Sequence, residues 1–351
     1  MRIARLLLVG LILLAACSSG TATTNSTVAN VLTQVRKLPV VALPGYDVSV
    51  FTQNDSRLTV ANPDSVVVDG QHVFIDYQNV TAKDCTDADK ASSTVVEYDM
   101  QGNILGHWSV AGHSDGMRID PATHLIWTTS CEDGSPRFAT IDPATGTVTP
   151  YTFPTPPHGG GYDDLYFLNG STFVAASNPS LDSGGNNPNA AIDKIALGAN
   201  GKLVLTPVLY GNASAADLLN NNAAAGLTLT DPDSLSVDNK GQLVLVSQAD
   251  STLVFINSPG TAQQKVSKMA VGTQLDDTVW PTGPGRLLVV DAGGVTYWIS
   301  GSFASGDVYT QSPNDSGVDN FVATIAPATG FVTPIAIGFT KTTGMVFVPS
   351  S

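Results

Sequence analysis

Glutamate is nearly missing from this chain. Of 30 acidic residues only two, Glu97 and Glu132, are glutamates, and the other 28 are aspartates. Glutamate suits helices, whereas aspartate suits caps and turns, so a largely helical protein is disfavoured. Basic residues are few as well, 16 against those 30 acids, with a formal net charge of −14. Binding to phosphate backbones needs a basic surface, which argues against a nucleic-acid partner. Charge of either sign is sparse at 13%, while 42% of residues are hydrophobic, and that combination argues against intrinsic disorder. The apolar stretch from Leu6 to Leu14 is too short to span a bilayer as a helix. What the chain does have is 33 glycines and 21 prolines, the punctuation of many short strands joined by turns. Its 351 residues allow two domains or one large β-architecture.

Arg2 and Arg5 precede the apolar stretch, and Leu14-Ala15-Ala16-Cys17 follows it. This resembles the lipobox of bacterial lipoproteins, which implies removal of residues 1–16, lipid on Cys17 and attachment to a membrane. The mature formal charge would then be −16, since two arginines are lost. Residues 17–36, rich in Ser, Thr, Ala and Asn, read as a flexible tether. In a Gram-negative host Ser18, rather than Asp, implies sorting to the outer membrane, on its periplasmic side or beyond; otherwise the protein sits at the cell surface.

From residue 37 onwards the chain repeats itself. Thr140-Ile-Asp-Pro-Ala-Thr-Gly-Thr-Val-Thr-Pro150 is matched by Thr324-Ile-Ala-Pro-Ala-Thr-Gly-Phe-Val-Thr-Pro334, in each case strand, turn, strand. A broader repeat pairs Asp64-Ser-Val-Val-Val-Asp69 with Asp115-Gly-Met-Arg-Ile-Asp120 and Asp233-Ser-Leu-Ser-Val-Asp238. Asp164-Leu-Tyr-Phe-Leu and Asp277-Thr-Val-Trp-Pro fit more loosely, and Gly344-Met-Val-Phe-Val keeps the strand without the aspartate. The spacings are 51, 49, 69, 44 and 67 residues. At about four strands per unit, such spacing is the mark of a β-propeller blade. Segments 178–189, 212–225 and 301–316 read as insertions in the long units.

Six inner strands predict an all-β, six-bladed propeller over residues 37–351. The last inner strand lacks successors, and the N-terminus offers strands at 38–43, 46–52 and 57–61 without an inner one. The two ends are therefore expected to complete one blade together, which removes exposed sheet edges.

The Asp115 and Asp233 repeats, each followed by a turn and an apolar strand, resemble those of NHL-type and gluconolactonase-like (regucalcin) six-bladed propellers. That resemblance implies a central divalent ion which activates water for lactone hydrolysis. Of the family's ligand pattern only an aspartate such as Asp115 or Asp233 is matched. Asp64 stands where the family has Glu, and its Asn ligands find no counterpart.

In a propeller the starts of the inner strands and the loops between second and third strands share one face. Asp64, Asp115, Asp164, Asp233 and Asp277 are thus expected to ring a channel mouth, either as hydrogen-bonding glue between blades or as oxygen ligands for Ca²⁺ or Mg²⁺. Cys85 and Cys131 fall about one blade period apart in such loops, and an exported protein can join them in a disulfide. His113, Asp115, Glu132, His158, Tyr162 and Asp164 converge on the same mouth as a candidate site for a small polar molecule. Gly112-His-Ser-Asp-Gly116 satisfies the G-x-S-x-G elbow of α/β-hydrolases, but a strand rather than a helix follows it, and it reads as a decoy. Three functions stay open: a lipid-anchored envelope propeller that binds a ligand or cation, a metal-dependent lactonase, and a protein-interaction scaffold.

Overall fold

The computed structural model describes residues 39–53, 57–86, 91–313 and 319–350. The leader, Cys17 and the tether lie outside the described residues. Secondary structure among the described residues consists of 27 strands and one short 3₁₀ turn. The first two strands are β1 (Val41–Ala42) and β2 (Tyr46–Gln53). Blade one is β3 (Pro63–Asp69), β4 (His72–Tyr77), β5 (Ser92–Asp99) and β6 (Ile104–Ala111). Blade two is β7 (Ser114–Ile119), β8 (Ile126–Ser130), β9 (Arg137–Asp142) and β10 (Thr147–Thr152). Blade three is β11 (Leu165–Leu168), β12 (Ser171–Ala175), β13 (Ala190–Leu197) and β14 (Leu203–Tyr210). A hairpin, β15 (Ser214–Asp217) and β16 (Ala223–Gly226), leads to blade four: β17 (Pro232–Val237), β18 (Leu243–Ser247), β19 (Thr252–Asn257) and β20 (Lys265–Ala270).

The remaining strands are β21 (Thr278–Val279), β22 (Gly285–Asp291), β23 (Val295–Gly301), β24 (Tyr309–Ser312), β25 (Phe321–Ala326), β26 (Phe331–Ile337) and β27 (Thr342–Pro349). They do not fill their blades in order. Blade five runs β21-β24-β25-β26-β1, and blade six runs β27-β22-β23-β2. The inner strands β3, β7, β11, β17, β21 and β27 each touch the next around the axis, so the ring closes with six blades.

Apolar residues alternate between neighbouring interfaces, because both faces of every blade are covered. In β4, Val73 and Ile75 pack towards blade six while Phe74 packs towards blade two. In β18, Leu243 and Leu245 face blade three while Val244 and Val246 face blade five. This is why the second strands read as unbroken apolar runs rather than as alternating ones. Six apolar cores result, one per interface. The duplicated Pro-Ala-Thr-Gly turns sit at equivalent places, β9–β10 and β25–β26, with Gly146 and Gly330 at φ 74° and 67°.

Closure by the two ends holds, in a different arrangement from the one the sequence implies. The N-terminus supplies one outer strand to blade six and the short β1 to the edge of blade five, not three strands to one blade. Residues 57–61 form no strand. The run Leu287–Val290, which reads as the successor of Asp277, belongs to blade six, and the apparent insertion 301–316 contains β24, the second strand of blade five. The physical reason is that every blade presents the same apolar pattern, so nothing local says which neighbour a strand joins. The apparent insertion at 212–225 is the β15–β16 hairpin, whose β15 lies parallel to the outer strand β20.

Candidate functional site: the acidic mouth of the channel

The inner strands all start at one end of the channel, where the loops between second and third strands also gather. Together they line a cavity of about 420 Å³. Among the described residues, ten carboxyl residues face it against two lysines, Lys83 and Lys341. Three of the acids form a tight group. Asp115 on β7, Glu132 in the β8–β9 loop and Asp163 just before β11 each place an oxygen within 4.8 Å of the other two, and all three side chains are buried.

Two glycines allow this convergence. A Cβ on Gly116 would lie 2.4 Å from the Asp164 Cα, so only glycine lets β7 pass so close to the start of β11. A Cβ on Gly161 would lie 2.1 Å from the Cys131 carbonyl oxygen, and the Gly161 N–H instead donates to the Glu132 carbonyl at 2.8 Å. The Cys85–Cys131 disulfide, Cα–Cα 5.3 Å, ties the loop of blade one to that of blade two. The Asp133 N–H donates to the Lys83 carbonyl across the same pair of loops, and the Lys83 ammonium donates to Glu132. Glu132 is thereby held from three sides.

Three carboxylates so close cannot all be ionised without compensation. Burial, with the neighbouring charges of Asp163 and Glu132, pushes Asp115 well above the usual carboxylate range. Burial, with Asp233 and Glu132, does the same to Asp163. Burial also pushes Glu132 upward, but hydrogen bonding from Asp115 and the charge of Lys83 outweigh it and hold the group at about 2. Asp64 is raised to about 7, mainly by burial, although it hydrogen-bonds Asp115. The three groups therefore share their charge, with burial and mutual repulsion disfavouring ionisation of Asp115 and Asp163 and Lys83 favouring it at Glu132. The Asp115 Oδ2 atom is buried and has no hydrogen-bond partner. Three hard oxygen donors with an unpartnered one among them fit a divalent cation of the Ca²⁺ or Mg²⁺ kind. Among the described residues, no ligating nitrogen or sulfur joins this group, whose all-oxygen donors suit a hard cation.

No protein-family model matches this chain, and none of the curated proteins matches it in sequence. Among solved structures it is similar to a Bacteroides caccae protein of unknown function, at 11% identity and a TM-score of 0.48, covering 82% of this chain and 87% of the other. It is also similar to the Pseudomonas aeruginosa periplasmic gluconolactonase, at 11% identity and a TM-score of 0.47, with 87% and 99% covered. A third is virginiamycin B lyase from Staphylococcus aureus, at 13% identity and a TM-score of 0.42, with 80% and 88% covered. The likeness is one of overall arrangement only.

The residues expected at the mouth divide into two groups. Asp64, Asp115, Glu132 and Asp233 line the cavity. Asp164 and Asp277 border it too, but as glue between blades. Asp164 Oδ2 accepts the Leu235 N–H at 2.9 Å and a guanidinium N–H of Arg118, while Oδ1 accepts the Leu165 N–H. Asp277 Oδ2 accepts the Met345 N–H at 2.8 Å. The histidines and the tyrosine turn away from the mouth. His113 Nδ1 donates to the Thr81 carbonyl at 3.0 Å, His158 Nε2 donates to the Gly161 carbonyl at 2.7 Å, and neither ring lines the cavity. Tyr162 is fully buried, stacked on Phe153 at 4.5 Å, with its hydroxyl donating to Asp193. Ser114 is buried as well and donates to Asp76 at 2.6 Å from within a strand, as expected for a decoy elbow.

Asp163, Asp231, Asp276 and Lys83 line the mouth although the repeat did not point to them. The signal was present as the doublets Asp163-Asp164 and Asp276-Asp277 and as Asp231-Pro-Asp233. Successive residues of a strand face opposite sides. Aligning the repeat on the second member of a doublet thus selects the glue residue and passes over its neighbour in the cavity.

Proposed function

We propose that this chain is an exported, lipid-anchored propeller that binds a hard divalent cation at Asp115, Glu132 and Asp163. Through that cation it binds a small, oxygen-rich polar ligand in the mouth. The observation that carries this reading is the triad itself: three buried carboxyl groups in mutual reach, one oxygen unpartnered, at the floor of an open cavity. Asp64 and Asp233 complete the acidic rim, and Lys83 and Lys341 supply positive charge to opposed parts of a polar ligand. When bound, a cation of this kind supplies a positive centre that polarises ligand oxygens. The chain's own part is to hold three oxygens in place through the disulfide-tied loops and to keep Glu132 ionised. The two candidate imidazole bases, His113 and His158, are bonded elsewhere, which favours binding over lactone hydrolysis. Export is supported by the Cys85–Cys131 disulfide, since such bonds persist in oxidising compartments. Mass spectrometry of the mature protein is expected to find acyl chains on Cys17.

Calorimetric titration of chelator-treated protein with CaCl₂ and MgCl₂ tests the site. Saturable one-site binding with proton release is expected for at least one of the two. No heat at millimolar metal overturns the reading.

A further inference from the structure

The channel has a second mouth, at the far ends of the same inner strands, and its chemistry is different. All six inner strands contribute to a cavity of about 460 Å³ there. Its walls are aliphatic and aromatic, with Tyr166, Phe167, Trp280 and Phe347 among them. Its polar groups are mostly spent on one another: Ser236 and Thr278 share a hydrogen bond of 2.7 Å, and the Trp280 indole N–H donates to Ser236.

Arg118 is the exception. Its side chain lines the cavity, is one-fifth exposed, and lies 5.6 Å over the Tyr166 ring. Its Nη1 donates to the Met117 carbonyl, and its Nη2 donates to Asp164 and to the Leu235 carbonyl. A guanidinium has five N–H donors, and these bonds use three of them, which leaves the Nε–H and one Nη1–H, on different sides of the group, without an acceptor among the described residues. Its positive charge is already matched by Asp164, and Asp277 stands beside the same cavity. An anionic ligand would add a charge next to those two aspartates, and a cationic one would face the guanidinium. An uncharged acceptor atom meets neither penalty. The volume, the apolar walls and the few polar groups, chiefly Arg118 with the Tyr166 hydroxyl and Asp277, are those of a small-molecule site.

We infer that the far mouth binds an uncharged, largely apolar molecule bearing one hydrogen-bond-accepting oxygen, such as an amide or ester carbonyl. The oxygen takes a remaining N–H of Arg118, and the apolar body lies between Tyr166, Trp280 and Phe347. The inference stands apart from the cation at the acidic mouth.

The test uses three probes of one shape and three charges: naphthamide, naphthoate and naphthylmethylamine, titrated into the whole protein and followed by calorimetry. Naphthamide is expected to bind saturably, and the charged pair about tenfold or more weaker. Arg118→Lys, which removes the planar guanidinium and its remaining donors, is expected to weaken naphthamide binding by about tenfold. Thr282 is exposed on the rim, and Thr282→Trp is expected to obstruct entry without disturbing the core, which keeps the test intact if the Arg118 variant does not fold. Absence of saturable binding to the wild-type protein overturns the inference. So does equal affinity for all three probes, or unchanged naphthamide affinity in a folded Thr282→Trp protein.

Discussion

The two mouths of the channel are built from the same six strands, yet they share almost no chemistry. Among the described residues, the acidic mouth is lined by ten carboxyl residues and no aromatic ring, while the far mouth is lined by four aromatic residues, aliphatic side chains, one arginine and Asp277. Between them sits the Arg118–Asp164 ion pair, whose acid borders one cavity and whose base borders the other. A seven-residue strand is enough to change from one environment to the other. At the starts, loop residues can bring Lys83 and Glu132 to share the charge; at the ends, the strands pack apolar side chains against each other. The difference shows that the propeller axis is a gradient of polarity, stopped by a single ionic septum.

The septum gives the largest test of this contrast. Arg118→Met would leave Asp164 buried and unpaired, and the expected loss is about 3–5 kcal/mol of stability, measured by urea unfolding. A loss below 1 kcal/mol would mean the pair does not join the blades as described. Next comes the tie beside the acidic mouth. Removing the disulfide with Cys85→Ser and Cys131→Ser frees a loop of 46 residues and is expected to cost about 3 kcal/mol. Cation affinity should fall with it, because Cys131 precedes Glu132. The apolar mouth should keep its naphthamide affinity, which separates the two ends in one variant. Glu132→Gln acts on the acidic mouth alone. It should lower Ca²⁺ or Mg²⁺ affinity about a hundredfold by calorimetry, and, by removing the partner of Lys83, lower the melting temperature of the cation-free protein as well.

The smallest effect is on pH dependence. Burial raises the Asp277 carboxyl to about 7, against an opposing pull from Arg118. A group whose folded value lies above its unfolded one contributes stability at low pH. That contribution is lost as pH rises from about 4 through about 7. Cation-free protein should therefore lose stability over that interval, and Asp277→Asn, which cannot ionise but can still accept the Met345 N–H, should flatten the curve. An identical slope in the variant would remove Asp277 as a contributor.

The sequence carried the architecture well. Aspartates at the starts of inner strands recur at blade spacing because each occupies the same place in a repeated unit, and six of those units close the ring. The positions of Cys85 and Cys131 followed from the same period. The sequence was less informative wherever a choice lay between equals. Asp163 and Asp164 are adjacent and chemically identical, and only the direction of each side chain separates a cavity group from a blade tie. Tyr162 and His158 sit in the right crossover but turn inward, Tyr162 to stack on Phe153 and His158 to bond its own loop. The exchange of strands between blades five and six left no mark on local pattern, since Leu287–Val290 is a buried apolar run like the second strands of other blades.

That exchange bears on how the chain reaches its final form. β2 is synthesised early, yet its partner in the sheet is β23, about 250 residues later (Val50 pairs with Tyr297). At ribosomal speeds of about 5–20 residues per second, that interval is on the order of 12–50 s. Throughout it an amphipathic ribbon must stay unpaired, and the innermost strand of its blade is the last of all to appear. Blades one to four can form as their consecutive strands appear, but blade six, and with it the ring, cannot be completed before β27. Maturation should be post-translational and slow, with a premature stop anywhere before residue 342 yielding an open arc rather than a smaller wheel.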